Sequence, residues 1–201
     1  TRRLPPLATA RPPLLDLEPG SVVVFSGVGR GVVFECARAL AERGAVCVVS
    51  GRTPRARGDE PWLALDDAAF EELRRREMVE RRRQDPSLTP VRLMREWDEV
   101  ARTRSLERNL AAAGDAIEYL AADIADAEEC AALLREVRRR HGRIDGVVHG
   151  AMVEASRALP QKPAEIVDAT VRTKVAGLCH LLDETRADPL RFFVAFGSIA
   201  G

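Results

Sequence analysis

The chain has 201 residues, 46% of them hydrophobic, which is enough apolar surface for the core of one large domain. Its 31 basic and 31 acidic residues give a formal charge of zero at pH 7, which excludes capture of nucleic acid or an anionic membrane by net charge. The sequence shows no signal peptide, no apolar run of about 18 residues and no C-x-x-C spacing among its cysteines. We therefore predict a cytoplasmic protein whose four cysteines are small core residues, without disulfides or a metal site.

Residues 1–20 are rich in proline and carry few periodic apolar positions. This composition is typical of an extended linker or edge segment. Because the chain starts at Thr1 rather than at a methionine, we expect it to be a domain of a longer polypeptide.

An apolar run at residues 22–25 leads into three closely spaced glycines and then into a helical pattern at residues 32–43. The run predicts a strand buried on both faces, and the glycines allow a tight turn that approaches a pyrophosphate at the helix N-terminus. The strict G-x-G-x-x-G spacing fails at Val32, and a looser pattern fails at Val33, so an ordinary strand-to-helix turn remains an alternative. The predicted cofactor residues of this turn are Ser26, Gly27, Gly29, Arg30 and Gly31.

A second buried strand is predicted at residues 45–50 and is followed by Gly51-Arg52-Thr53. In a dinucleotide-binding fold the end of this strand faces the adenosine ribose, where an arginine accommodates the 2′-phosphate of NADP. We therefore predict that Arg52 binds NADPH. Arg55 and Arg57 are explained equally well as surface arginines.

Residues 58–113 depart from a simple alternation of strands and helices and carry helical periodicity in two segments, separated by a break at residues 85–90. The arginine runs in this region are interleaved with acidic residues, which favours a solvated helical face over a nucleic-acid site. We predict a helical insertion that packs or docks inside a larger assembly.

A third strand at residues 117–121 is followed by two aspartates with different predicted roles. Asp123, next to Ile124, is placed to accept a hydrogen bond from the adenine amino group, whereas Asp126 lies three residues before Glu129, as in a capping box. A fourth strand at residues 144–149 opens into Gly150-Ala151, where a tight backbone can pass over the cofactor.

A helix predicted at residues 163–184 places Lys174 within an apolar stripe formed by Val167, Val171, Leu178 and Leu181. Burying an ammonium without a partner is costly, so a role in a site is favoured over a lysine that snorkels to water. A fifth strand at residues 191–196 follows and leads to Ser198.

The order of these elements predicts an α/β fold: a Rossmann-like, doubly wound parallel sheet with the helical insertion between its second and third strands. Taken together, the motifs resemble the short-chain dehydrogenase/reductase superfamily. More narrowly, they resemble the ketoreductase domain of type I polyketide synthases, and above all those of polyunsaturated-fatty-acid and enediyne-type synthases. The resemblance covers residues 21–201 and rests on Ser26-Gly27-Val28-Gly29-Arg30-Gly31, Gly51-Arg52-Thr53, Glu60-Pro61-Trp62, Ala122-Asp123-Ile124, His149-Gly150-Ala151, Thr173-Lys174-Val175-Ala176-Gly177 and Phe196-Gly197-Ser198-Ile199-Ala200-Gly201.

This resemblance implies that NADPH reduces a β-ketoacyl group on an acyl carrier protein to a β-hydroxyacyl group, beside neighbouring synthase domains. In the family a tyrosine donates a proton, a serine hydrogen-bonds the carbonyl, and a lysine lowers the pKa of the tyrosine and contacts the nicotinamide ribose. Ser198 matches the serine and Lys174 the lysine, which adds a catalytic role to its cofactor contact. The only tyrosine, Tyr119, lies in the third strand and does not match. We therefore expect the C-terminal part of the domain to be absent here and a Tyr-x-x-x-Asn segment to follow Gly201.

Three residues stand where the family usually has glycine, namely Val28, Val33 and Met152. Val33 and Met152 add bulk near the expected path of the cofactor. A catalytically silent, ketoreductase-like scaffold domain that supports its neighbours through the insertion is therefore an alternative. A free-standing alcohol dehydrogenase is disfavoured by the proline-rich start and the long insertion.

Overall fold

Five parallel strands form one sheet in the part of the chain that the computed structural model describes, residues 17–27, 31–153 and 161–197. The strands are β1 (Val22–Ser26), β2 (Val46–Gly51), β3 (Ile117–Ala121), β4 (Gly146–His149) and β5 (Phe192–Ala195). Their order across the sheet is β3-β2-β1-β4-β5. The predicted doubly wound parallel sheet is confirmed.

Helices connect the strands and cover both faces of the sheet. They are α1 (Val32–Ala41), α2 (Asp67–Gln84), α3 (Pro90–Ala113), α4 (Ala127–His141), α5 (Ala164–Val171) and α6 (Gly177–Glu184). A π-helical turn, Arg172–Ala176, joins α5 to α6. Within the described ranges, no helix combines the length and the hydrophobicity needed to cross a bilayer.

The central strand β1 is buried on both faces, because each face of the sheet is covered by its own helices. Val23 and Phe25 pack in the cluster that includes residues of α1 and α3, whereas Val22 and Val24 pack with residues of α4 and α6. This double burial explains why β1 is a continuous apolar run instead of an alternating one.

The helices predicted for the insertion are present as α2 and α3, and the expected break lies between them. Asp66 caps the first of these helices and Thr89 caps the second. The two helices meet at an edge-to-face contact of Phe70 with Trp97, whose ring centroids are 5.7 Å apart. The other end of α3 packs into the main core through Leu106, so the insertion is fixed to the sheet.

The apolar stripe predicted for residues 163–184 does not form one buried face. Val167 and Val171 are 37% and 52% exposed, whereas Leu181 is fully buried. The π-helical turn Arg172–Ala176 adds a residue to one turn and so rotates the following helix relative to the preceding one. The same region corrects a second expectation, because Cys179 is exposed and not a core residue.

Candidate active site

A cleft opens at the carboxyl ends of β1 to β4, where the strand order reverses between β1 and β4. Ligands of doubly wound sheets bind at this position. The cleft brings together five of the predicted cofactor residues, which come from four separate loops. Its lining residues are Gly27, Ser50, Gly51, Arg52, Ala122, Asp123, Ile124, Ala151, Met152 and Thr173.

Gly27 is the point of closest approach between the turns that follow β1 and β4. Its φ is 85°, and its N–H donates to the Ser50 carbonyl over 2.9 Å. A Cβ atom at Gly27 would lie 2.2 Å from Cα of Ala151. A side chain is therefore excluded twice, by the backbone conformation and by the neighbouring chain.

The remainder of the predicted phosphate turn is described only in part. Gly31, with φ 82°, precedes α1, and no side chain of the described residues caps the first turn of this helix. Free amides at a helix N-terminus suit an anionic group. Gly29 and Arg30, as well as Val28, lie outside the described residues.

Val33 occupies the core and not the cleft, contrary to the expectation that it adds bulk near the cofactor path. Its side chain is 8% exposed. A Cβ at Gly150 would lie 2.3 Å from Cγ2 of Val33, so the valine fills the space that a larger residue at position 150 would need. Met152, by contrast, lines the cleft and is 61% exposed.

Arg52 and Asp123 face each other across the cleft, because they follow the neighbouring strands β2 and β3. Nη1 of Arg52 lies 4.0 Å from Oδ2 of Asp123, and the two side chains are 60% and 34% exposed. Such an exposed, long ion pair is weak and leaves the guanidinium available to another anion. Oδ1 of Asp123 also accepts from the Ala125 N–H over 3.0 Å.

Asp126 caps α4, as predicted. Its Oδ1 accepts from the N–H groups of Glu128 and Glu129, each over 2.9 Å. In a capping box the carboxylate of Glu129 would accept from the N–H of Asp126. Here it accepts from the N–H of Asp123 instead, at 2.8 Å, so the return bond goes to a residue three positions before the N-cap. This contact fixes the backbone that carries Asp123.

Ile124 is 3% exposed and links the cleft to α6. Its carbonyl lies 2.9 Å from Nδ1 of His180. A Cβ at Gly177 would lie 2.6 Å from Cδ1 of Ile124, so the glycine allows the helix to approach the loop closely.

The other two arginines of this loop have structural partners. Arg55 forms a bidentate pair with Glu107 of α3, at 2.7 and 2.9 Å, and this hydrogen bonding raises the pKa of Arg55. The pair ties the insertion to the end of β2. The N–H of Arg57 donates to Glu60 over 2.8 Å. Of the three arginines, only Arg52 lines the cleft.

Ser26 and His149 form a buried pair at the ends of β1 and β4. Both are fully buried, and Oγ of Ser26 lies 2.8 Å from Nδ1 of His149. The Ser26 hydroxyl therefore contacts the protein core and not the cleft. Nε2 of His149 lies 3.0 Å from the carbonyl oxygen of Lys174. Sequence reasoning assigned no role to His149, although a polar residue ending an apolar strand was a usable signal.

Lys174 lies in the π-helical turn, next to Thr173, which lines the cleft. Its side chain is partly buried, and this burial lowers its pKa. Within the described residues its ammonium makes no hydrogen bond or ion pair. The predicted Ser198 lies outside the described residues, but the N–H of Phe196 donates to the His149 carbonyl over 2.9 Å, so the described end of β5 runs beside β4.

Tyr119 lies in β3, away from this group. Its hydroxyl donates to the carbonyl oxygens of Gly51 and Thr53, at 2.8 and 2.6 Å. Burial raises its pKa to about 12. The tyrosine therefore fixes the loop after β2 and is not placed as the proton donor.

A larger cleft of about 350 Å³ lies between α2 and α3. None of the predicted site residues lines it, and it holds no nucleophile. Its lining residues are Pro61, Trp62, Leu73, Glu77, Arg81, Glu96, Trp97 and Val100. Size alone does not identify the site, because the smaller cleft lies at the switch point and carries the matching residues.

Comparisons with known proteins identify the family and the fold of the chain. Residues 20–201 match the family model described as KR domain. A polyunsaturated fatty acid synthase polypeptide of Thraustochytrium sp. (strain ATCC 26185 / S-3) is 30% identical over 210 residues, which cover 93% of this chain and 7% of that protein. Polyketide synthase PksL of Bacillus subtilis (strain 168) is 40% identical over 83 residues, 41% of this chain and 2% of that protein. The chain thus spans a small part of these relatives.

Solved structures share the fold. An N-terminal ketoreductase from the macrolactin assembly line superposes with a TM-score of 0.61 at 21% identity, over 92% of this chain and 30% of that chain. The 3-ketoacyl-(acyl-carrier-protein) reductase from Brucella melitensis, solved with NADH, gives 0.52 at 18% identity, over 85% of this chain and 50% of that chain. The sequence matches and the shared fold together show that the chain belongs to the KR domain family, the ketoreductase domains of polyketide synthases, and has the fold of the short-chain dehydrogenases/reductases.

Proposed function

We propose that the chain provides the cofactor site, and part of the catalytic site, for NADPH-dependent reduction of a β-ketoacyl group to a β-hydroxyacyl group. The substrate is proposed to be a thioester carried on an acyl carrier protein of the same synthase. The observation that carries the proposal is the single cleft that gathers Gly27, Arg52, Asp123 and Ala151 beside the turn of Lys174. Membership of the KR domain family supports a reductase.

The residues of the cleft fit a phosphorylated dinucleotide. Gly27 keeps the turn after β1 free of side-chain bulk. Arg52 offers an exposed guanidinium, whose ion pair among the described residues is the 4.0 Å contact with Asp123. A 2′-phosphate forms shorter, charge-assisted hydrogen bonds with such a guanidinium than this carboxylate does. Asp123 then remains as the acceptor for the adenine amino group.

NADPH, when bound, supplies the hydride that the β-carbon of the substrate accepts. The negative charge that develops on the carbonyl oxygen needs a hydrogen-bond donor and one proton. Ser198 is the proposed donor, and the ammonium of Lys174 is proposed to stabilise the developing charge and to hold the nicotinamide ribose. Because the hydroxyl of Tyr119 is engaged in β3, the proton comes from a group other than Tyr119.

A fluorescence titration of the full-length polypeptide with NADPH and with NADH tests the cofactor assignment. NADPH is expected to bind more tightly, and Arg52→Ala is expected to weaken NADPH binding by about tenfold or more while leaving NADH nearly unaffected. Arg57→Ala is the matched control, because it removes a neighbouring positive charge that does not line the cleft. Equal losses for the two arginine variants would contradict the role of Arg52.

A catalytically silent scaffold is the second candidate function. The observation that favours it is the insertion, whose cleft contains both tryptophans of the chain and whose helices expose Val79, Val91 and Met94. Exposed apolar surface of this kind suits contact with another protein. The same titration separates the two functions in part, since the absence of saturable NADPH binding is compatible with a scaffold and incompatible with a reductase.

A further inference from the structure

The hydrogen bonds of His149 define its tautomer. A carbonyl oxygen can only accept, so the contact of Nε2 with the Lys174 carbonyl requires a proton on Nε2. Burial lowers the pKa of His149 and so favours the neutral ring, which leaves Nδ1 as the acceptor of the Ser26 hydroxyl. The Ser26 hydroxyl therefore donates to Nδ1 of His149, and Nε2 of His149 donates to the carbonyl oxygen of Lys174.

The Lys174 carbonyl, which accepts the hydrogen bond from His149, lies in the π-helical turn between α5 and α6. The N–H of Gly177 donates to the Arg172 carbonyl, five residues back, so the turn that contains Lys174 is wider than an α-helical turn. Such turns are less favourable than the α-helix and persist where outside contacts support them. One outside contact of this turn is the imidazole of His149, which is fully buried and paired in register with Ser26.

We propose that His149 is a positioning residue. By bridging Ser26 and the Lys174 carbonyl, it holds the π-helical turn of Lys174 at a fixed distance from the end of β1. The inference rests on the proposed function, because it assigns His149 to the placement of the proposed catalytic lysine. The carbonyl of His149 also accepts from the N–H of Phe196, directly after β5. His149 therefore contacts the end of β1, the end of β5 and the π-helical turn of Lys174.

Two conservative substitutions separate the two bonds of the ring. The amide of His149→Gln reaches the position of Nε2 and retains a donor for the Lys174 carbonyl, whereas that of His149→Asn reaches only the position of Nδ1 and retains the contact with Ser26. A misplacement of about 1 Å costs up to about 100-fold in rate. We therefore expect kcat with a β-ketoacyl thioester to be at least tenfold lower in His149→Asn than in His149→Gln, with a smaller difference in the KM for NADPH.

The position of Lys174 is also measurable without turnover, because the resonance lost in Lys174→Arg identifies its signal in the full-length polypeptide, and the resonance lost in Lys162→Arg identifies the control. With ¹³C-labelled lysine, His149→Asn is expected to shift the Cε resonance of Lys174 and to leave that of Lys162 in place, while His149→Gln shifts it less. Ser26→Ala, which removes the donor to Nδ1, is expected to cause a smaller shift and serves if His149→Asn does not fold.

Equal shifts and equal kinetic losses in His149→Asn and His149→Gln, or a Lys174 resonance that no variant moves, would overturn the positioning role. The failure of the proposed function looks different. In that case the wild type does not oxidise NADPH, but the lysine spectra still report whether His149 holds the turn.

Discussion

Replacing Gly27 by alanine tests the geometry of the cleft directly. The residue has φ 85°, and an added Cβ would lie 2.2 Å from Cα and 2.3 Å from the nitrogen of Ala151. The left-handed conformation costs about 1–2 kcal/mol for alanine. Overlap with the backbone of Ala151 adds about 1–3 kcal/mol. We expect Gly27→Ala to lower the free energy of unfolding by about 2–5 kcal/mol and to weaken NADPH binding.

Urea denaturation of the two proteins measures this loss, and Gly142→Ala is the matched control. Gly142 ends α4 with φ 76°, but nothing lies within 4 Å of its missing Cβ. The control therefore carries the conformational cost of about 1–2 kcal/mol without the overlap. If Gly27→Ala is no less stable than Gly142→Ala, the close approach of the two turns is refuted.

Three further predictions concern the surroundings of the cleft. Gly150→Ala is expected to lower the free energy of unfolding by about 1–3 kcal/mol, because the added methyl group overlaps Val33. Adding Val33→Ala to this variant is expected to restore part of the loss, and additive losses in the double-mutant cycle would contradict the contact. Burial lowers the pKa of His149 in the folded protein below its ordinary value of 6.5, so on acidification the unfolded chain is protonated at this histidine before the folded protein is. The free energy of unfolding therefore decreases as the pH falls below about 6.5. Urea denaturation from about pH 7 to about pH 5 should then show a steeper loss in the wild type than in His149→Gln, whereas parallel losses refute the shift. Ser198→Ala should lower turnover of a β-ketoacyl thioester by about 100-fold or more with the fold intact by circular dichroism, and an unchanged kcat removes the serine from the site.

The strands of the fold were predictable because a buried strand shows as a continuous apolar run within one short segment of the sequence. β1 lies in the centre of a sheet covered on both faces, so its first four residues are all apolar, and a glycine-rich turn marks its end. The ends of parallel strands meet at one edge of the sheet, which explains why Arg52 and Asp123, predicted separately to bind the 2′-phosphate and the adenine, lie in the same cleft.

Other features depend on contacts between distant segments and leave no local pattern. The π-helical turn at Lys174 contacts a histidine 25 residues away and changes the rotation of the helix after it, so helical periodicity alone gave the wrong buried face. The sequence left the role of Arg55 open, and only the fold shows that Glu107 of the insertion is its partner. Val33 was expected near the cofactor because the pattern shows only its position, whereas packing against Gly150 places its side chain in the core.

Turnover by the full-length polypeptide is the most direct test of the proposed reductase activity. With a β-ketoacyl thioester, we predict that NADPH is oxidised in a one-to-one ratio with the β-hydroxyacyl product, and that Lys174→Ala abolishes this reaction. Saturable NADPH binding without any oxidation, or oxidation that persists unchanged in Lys174→Ala, would contradict the proposal.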